Sequence, residues 1–180
     1  MSDLLNGIPR VNPASPPTVA QRAVGRVLAT TAGSVFHRRV FAPLDTLLIR
    51  LTRGRLHSAK GAVPLVLLRT IGAKSGIPRD VMLAYYTDGE DVILIASNYG
   101  QEKHPSWYYN LLKNPRCELF ADGRADSGGA FVARSVDGAD HDRLFASMER
   151  YFPNFTNYAS TTAGIRTIPV LRLTPDTGDI

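Results

Sequence analysis

Three cations, Arg69, Lys74 and Arg79, fall within eleven residues and bracket the turn Gly72-Ala73-Lys74-Ser75-Gly76. Glycines leave backbone N–H groups approachable, Ser75 adds a hydroxyl, and the cations add charge. Together these groups suit the acidic tail of a ligand. Spacing alone fits a solvated hairpin turn with basic edges equally well. It does not fit a nucleotide-binding Walker A loop, which needs a more distant leading glycine and a helix immediately after the Ser/Thr. Here Pro78 and the apolar run Val-Met-Leu-Ala-Tyr-Tyr that follows demand a strand instead.

A second group of candidates lies downstream. Ala96-Ser97-Asn98-Tyr99-Gly100 closes an apolar run, and the sequence HPSWYYNLLKNP, residues 104–115, reads as a short helix. Pro105 suits its first position, and Asn114 followed by Pro115 its stop. Backbone N–H groups at that N-terminus can meet an anionic or carbonyl-bearing ring. Ser97 lacks the GxSxG elbow of a nucleophile and reads as a hydrogen-bond donor to a ligand. The four histidines, His37, His57, His104 and His141, show no HxxxH or HExxH spacing, so no metal site is expected. His104 reads as a capping or surface residue, and Trp107 with Tyr108 and Tyr109 as core aromatics rather than stacking groups. Phe152, Phe155 and Tyr158 recur every three residues in a segment that reads as a core-packing connection, with a loop closing over a pocket as the alternative.

The elements that position these groups follow from composition and period. With 180 residues, 44% hydrophobic and 8% aromatic, the chain supports one domain. The single cysteine, Cys117, excludes an intrachain disulfide and a cysteine-rich metal site, so a reducing, cytoplasmic home is expected. No apolar stretch approaches the roughly 20 residues of a membrane span, and the first residues lack a secretory layout. Charge is uneven: residues 1–60 hold nine Lys/Arg against two acids, and residues 61–180 hold twelve against fourteen, so all the net basicity of +5 lies in the first third. Residues 1–17 read as a flexible tail. Residues 18–60 read as a basic amphipathic helical segment, with Val24, Val27, Leu28 and Val35 on one stripe and Leu44, Leu47, Leu48 and Leu51 on the next. Such a segment fits peripheral contact with an anionic membrane, or a helical layer packed on the body with its cations in water. Without an aromatic-basic stacking surface it does not fit nucleic-acid binding, and nothing points to a protein partner.

Residues 61–180 turn to strand patterns at 63–69, 81–86, 92–96, 116–120, 131–136 and 167–173, with a helix at 137–151 whose apolar face is Leu144, Phe145 and Met148. The expected class is α+β, an antiparallel sheet or small barrel with flanking helices.

Taken together, LLRTIGAKSGIPRDVMLAYY, LIASNYGQEKHPSWYYNLLKNP and RTIPVLRLTP resemble the deazaflavin-dependent nitroreductase family of actinobacteria, over about residues 40–175. The resemblance implies a split β-barrel related to flavin reductases and coenzyme F420, whose lactyl-phosphate and glutamate tail is strongly acidic. It implies hydride transfer to an electron-poor small molecule such as a quinone, an enone or a nitro-aromatic. Carried over by position, Lys74, Ser75, Gly76 and Arg79 match the phosphate-binding turn, and Ala96, Ser97 and Asn98 the strand end beside the ring. His104, Pro105, Trp107 and Asn110 match the H-P-x-W-x-x-N helix. Phe152, Phe155 and Tyr158 match the substrate side, with Ser97 and Tyr158 as the catalytic hydrogen-bond donors. The nitroreductase that activates bicyclic nitroimidazoles has tyrosines at the first two of those three aromatic positions, so two hydroxyls are missing here. A non-catalytic F420-binding or storage protein, or an FMN-binding split-barrel reductase, are the alternatives.

Overall fold

Apolar runs punctuated by Gly-containing turns build most of the chain. The structure, a computed structural model, describes residues 3–15, 19, 64–121 and 127–178. Its strands are β1 (Leu4–Leu5), β2 (Ile8–Pro9), β3 (Leu65–Ile71), β4 (Pro78–Ala84), β5 (Tyr86–Asp88), β6 (Asp91–Ile95), β7 (Arg116–Ala121), β8 (Gly128–Val136) and β9 (Val170–Pro175). Among the described residues they are accompanied by the α-helices α1 (Ser106–Lys113), α2 (Gly138–Tyr151) and α3 (Asn154–Thr162). The last seven strands form one antiparallel sheet in the order β4-β3-β7-β8-β9-β6-β5. Its two edges, β4 and β5, are consecutive in the chain with only Tyr85 between them. One continuous segment therefore borders both edges, which requires the sheet to curl into a half-closed barrel.

The alternation of β6 shows how the two faces are used. Val92 and Leu94 point into the barrel with Val66, Leu68, Leu119, Phe131, Leu171 and Leu173. Ile93 and Ile95 point outward, where Leu144, Met148 and Tyr151 of α2 and Phe155 of α3 cover them. Arg172, on the covered outer face of β9, is held by three carboxylates, Asp88 at 2.7 Å, Asp91 at 2.9 Å and Asp140 at 3.0 Å. Arg143 of α2 shares Asp88 and Asp140. Its hydrogen bonds, with those of Arg172, keep the Asp88 carboxyl below the ordinary carboxylate range despite partial burial. This network ties the first turn of α2 to the β5–β6 hairpin.

The register also decides which loops share an end of the barrel. Ile71 pairs with Pro78, Arg116 with Val132, Val136 with Val170, and Val170 with Ile95. The turn 72–77, the loop 96–104, helix α1 and the segment leading into β9 consequently gather at one end.

Two expectations are corrected. Residues 3–15, read as part of a mobile tail, form the β1–β2 hairpin and a following strap. Ile8 is fully buried and Leu5 nearly so, both in the barrel core. The backbone of Val11 exchanges hydrogen bonds with Thr87, and Arg10 pairs with Glu90 at 2.7 Å. Four apolar side chains, Leu4, Leu5, Ile8 and Val11, are too few to show a period, yet Leu5, Ile8 and Val11 find a place on an open barrel. The hairpin sits so close to β8 that a Cβ on Gly7 would fall 2.7 Å from the Gly128 nitrogen, and Gly7 also has φ +85°. The segment after α2, read as a connection or a loop, is the helix α3. The basic helical segment expected over residues 18–60 lies, Val19 aside, outside the described residues.

Candidate active site

Helix α1 lies across the barrel end. Trp107 and Leu111 turn inward and join the barrel core, both under one-tenth exposed, so the Trp107 ring packs where the core reading placed it. Pro105 is the N-cap and Ser106 the first helical residue, one later than expected.

The C-terminal half of α1 holds the basic turn. Asn110, 7% exposed, accepts a hydrogen bond from the Ala73 N–H at 2.9 Å through its amide oxygen and donates through Nδ2 to Thr70 Oγ1 at 3.0 Å. Lys113 Nζ donates to the Ala73 carbonyl at 2.7 Å. Within the turn, the Gly72 N–H donates to the Ile77 carbonyl, the Gly76 N–H to the Gly72 carbonyl, and the Ile77 N–H to Ser75 Oγ. Gly76 has φ +67°, which a side chain would strain. The turn thus has a fixed shape. Its Lys74 and Ser75 N–H groups donate to no partner among the described residues, and neither the Lys74 nor the Arg79 side chain is ion-paired there. Arg69 is different. Its guanidinium is bidentate to Asp80 at 2.8 and 2.9 Å, lies 3.8 Å from Glu118 and sits over the Phe120 ring. Two of the three cations seen in the sequence are available to a ligand, and Arg69 is not. Asn110, matched in the sequence to a ring-side motif, instead spends its amide on the turn.

At the N-terminal end of α1, β6 runs into a strained loop. Asn98, Tyr99 and Gly100 have φ of +49°, +54° and +71°, and the first two carry side chains, each at a cost of about 1–3 kcal/mol. Asn98 Nδ2 donates to the Lys103 carbonyl at 2.8 Å. Gly100 presses on α3, where a Cβ would meet Tyr158 Cα and Thr161 Cβ at 3.3 Å. Arg166, which no motif singled out, donates from Nη2 to the Ser97 carbonyl at 2.6 Å, from Nε to the Gln101 carbonyl at 2.8 Å and from Nη1 to His104 Nδ1 at 3.0 Å. Burial and that neighbouring cation hold the His104 pKa below its ordinary value, so the ring is neutral at pH 7. The Ser97 hydroxyl has no partner among the described residues and is half-buried.

Helix α3 divides the aromatic triplet. Phe155, 9% exposed, belongs to the core between sheet and helices, and Phe152 packs partly against it. Tyr158 is half-buried, edge-on to the Tyr99 ring at 6.3 Å. Burial, with Tyr99 beside it, pushes its hydroxyl up to about 12, so it stays a donor throughout the neutral range. A cleft of about 260 Å³ opens beside α1, walled by His104, Tyr108, Ser135, Asp137 and His141. Among the described residues no cluster of three His, Cys, Asp or Glu is placed to hold a metal ion.

Comparison with known proteins adds an independent line. A profile of the F420H(2)-dependent quinone reductase family matches residues 45–175. Relatives in two strains of Mycobacterium tuberculosis, CDC 1551 / Oshkosh and H37Rv, each named F420H(2)-dependent quinone reductase, are 37% identical over 133 residues, 73% of this chain and 87% of theirs. Among solved structures, an F420-H2 dependent reductase is 31% identical with a TM-score of 0.52, over 61% of this chain and 93% of that one. A second, described as a domain-swapped dimer, is 26% identical with a TM-score of 0.54, over 72% and 96%.

Because Asn110 accepts from the Ala73 N–H, which has no other partner among the described residues, Asn110→Ala should destabilise the protein by about 1–3 kcal/mol in urea unfolding and speed amide exchange at Ala73. A loss below about 0.5 kcal/mol would show that the turn keeps its shape without the clamp.

Proposed function

Because the chain belongs to the F420H(2)-dependent quinone reductase family, we propose that it reduces a quinone-type acceptor with reduced coenzyme F420 at the barrel end closed by α1. The observation that carries the reading is the separation of two chemistries by one helix. Lys74 on the clamped turn and Arg79 at the start of β4, neither ion-paired among the described residues, stand at the C-terminal end of α1, and the strand-end loop, whose Ser97 hydroxyl has no partner among them, stands at its N-terminal end. Its eight residues make α1 about 12 Å long.

This donor set fits the coenzyme. Lys74, Arg79 and the free N–H groups of Lys74 and Ser75 suit the phosphate and carboxylates of the tail, and Ala96, Ser97 and Asn98 form a wall for the ring. When bound, the deazaflavin supplies the hydride chemistry that no side chain offers. The chain's own part is to orient the acceptor, exclude water and donate hydrogen bonds to the oxygen that gains negative charge. Ser97 and Tyr158 are the donors in this reading, Tyr158 being fully protonated at neutral pH. One such donor contributes about 3 kcal/mol.

A side-by-side titration with F420 and FMN at two salt concentrations, followed by a quinone-dependent oxidation assay, tests this. Tight, salt-sensitive F420 binding is expected, and replacing both Lys74 and Arg79 by alanine should weaken it and flatten the salt dependence. Preference for FMN would assign the site to a flavin, and F420 binding without quinone-dependent oxidation would assign the protein to storage. Ser97→Ala should lower kcat by about 100-fold while leaving coenzyme affinity nearly unchanged; wild-type turnover would remove Ser97 from the reaction.

The concentration of basic charge in residues 1–60 favours one addition, peripheral contact of residues 18–60 with an anionic membrane surface, where lipid-soluble quinones reside. Flotation of the full chain with anionic vesicles but not with neutral ones is the expected result. Absence from both would exclude that contact.

A further inference from the structure

Arginines that join elements of the described body do so through carboxylates, as Arg69 does through Asp80, Arg143 through Asp88 and Arg172 through three aspartates. Arg166 joins elements through neutral acceptors instead. Its guanidinium faces the carbonyls of Ala96, Ser97 and Gln101 and the Nδ1 atom of His104, and among the described residues no acid pairs with it.

We propose that Arg166 is the positioning residue of this reductase site, bracing the left-handed loop 96–101 by its carbonyls and fixing His104 as the tautomer that carries its proton on Nε2. The inference rests on the reading of the barrel end as the reductase site.

The geometry supports it from both sides. Arg166 itself is well anchored: its N–H and that of Ile165 close the end of α3 on the Thr162 carbonyl, and Ile168, two residues on, is buried. The Pro169 carbonyl then accepts from the Ala96 N–H, so the same short segment grips the loop by backbone and by side chain. The loop needs such a grip, because consecutive left-handed residues persist only where their surroundings over-determine them. Within the loop the Gly100 N–H donates to the Ser97 carbonyl and Asn98 Nδ2 to the Lys103 carbonyl, and outside it Tyr99 and Gly100 pack against α3; the Arg166 fork adds direct hydrogen bonds from the segment before β9. A planar fork is required to reach the Ser97 and Gln101 carbonyls and an imidazole at once, which an ammonium cannot do. Since a guanidinium only donates, His104 Nδ1 must accept, which places the ring proton on Nε2. The charged and titratable groups around that ring are Arg166 from the segment before β9, Tyr108 and Tyr109 from α1, and Asp137 and His141 at the start of α2 across the cleft. The ring's depressed pKa agrees with this arrangement.

Nitrogen NMR of the histidines in the wild-type protein without coenzyme is the first arm of the test. His104 should be bare at Nδ1 and protonated at Nε2 at pH 7, and should titrate below about 6.5. A proton on Nδ1, or a doubly protonated ring at pH 7, overturns the proposal whether or not F420 binds, so its failure is separable from failure of the reductase reading. The second arm is Arg166→Gln, in which amide exchange should rise over residues 96–101 while β6 and β9 stay protected. Its kcat with a water-soluble benzoquinone should fall about 10- to 100-fold with F420 affinity held within about threefold. Arg166→Lys should recover only part of that loss. Wild-type kcat and exchange in Arg166→Gln, or exchange rising equally through β6 and β9, would leave Arg166 a general stabilising residue and overturn the positioning role.

Discussion

A chain segment that runs along one edge of a sheet and then along the other permits only a curled sheet, and everything else in this protein follows from that closure at Tyr85. Once β4 and β5 are the two edges, the barrel has an inside and an outside, and period-two strands must be apolar on both. That is why β6 reads as an unbroken apolar run, Val-Ile-Leu-Ile, with Val92 and Leu94 serving one core and Ile93 and Ile95 the other. Closure also brings the β3–β4 turn and the exit of β6 to the same end, although more than twenty residues separate them in sequence. Helix α1 then has a double task, plugging that end with Trp107 and Leu111 and setting the distance between a cationic turn and a neutral, strained loop.

Charge is allotted accordingly. Arg172 and Arg143 are satisfied by Asp88, Asp91 and Asp140 in a network that fastens a helix to the sheet. Arg69 is satisfied across β3 and β4. Lys74, on a turn whose backbone is clamped from α1, and Arg79, at the start of β4, make no ion pair among the described residues. On the proposed reading an anionic ligand tail would meet cations that need not break such a pair, which removes an exchange cost from binding.

Much of this was legible in the sequence where the signal is local. Strands β3, β4, β6, β7, β8 and β9 and helix α2 lie within a few residues of where apolar alternation and turn chemistry put them, and the GAKSG turn joins two strands as Pro78 demanded. What local pattern could not show depends on partners far along the chain. The burial of Ile8 needs a barrel opening that exists only after residues 64–178 have folded. The role of Asn110 depends on Thr70 and Ala73, about forty residues away, and that of Arg166 on carbonyls some seventy residues away. Backbone carbonyls leave no mark on composition. Arg166 was visible only as one letter of the terminal RTIPV motif, and its charge unmatched by any nearby acid was the one signal that pointed beyond a surface arginine.

The aromatic triplet shows how the same helix can hold both fold and specificity. Because α3 closes against the sheet through Phe155 and leaves Tyr158 beside Tyr99, successive positions three apart do not share one environment. A hydroxyl at position 155 would be placed at the margin of an apolar core and would need a partner there; a phenyl ring needs none. The two phenylalanines are thus consistent with the packing they enter, and of the three aromatic positions only Tyr158 carries a hydroxyl. On the proposed reading, in which Ser97 and Tyr158 are the donors, few hydrogen bonds would hold the acceptor and shape would do most of the work, an arrangement better matched to a flat, largely apolar quinone than to an acceptor that must be held through many polar contacts.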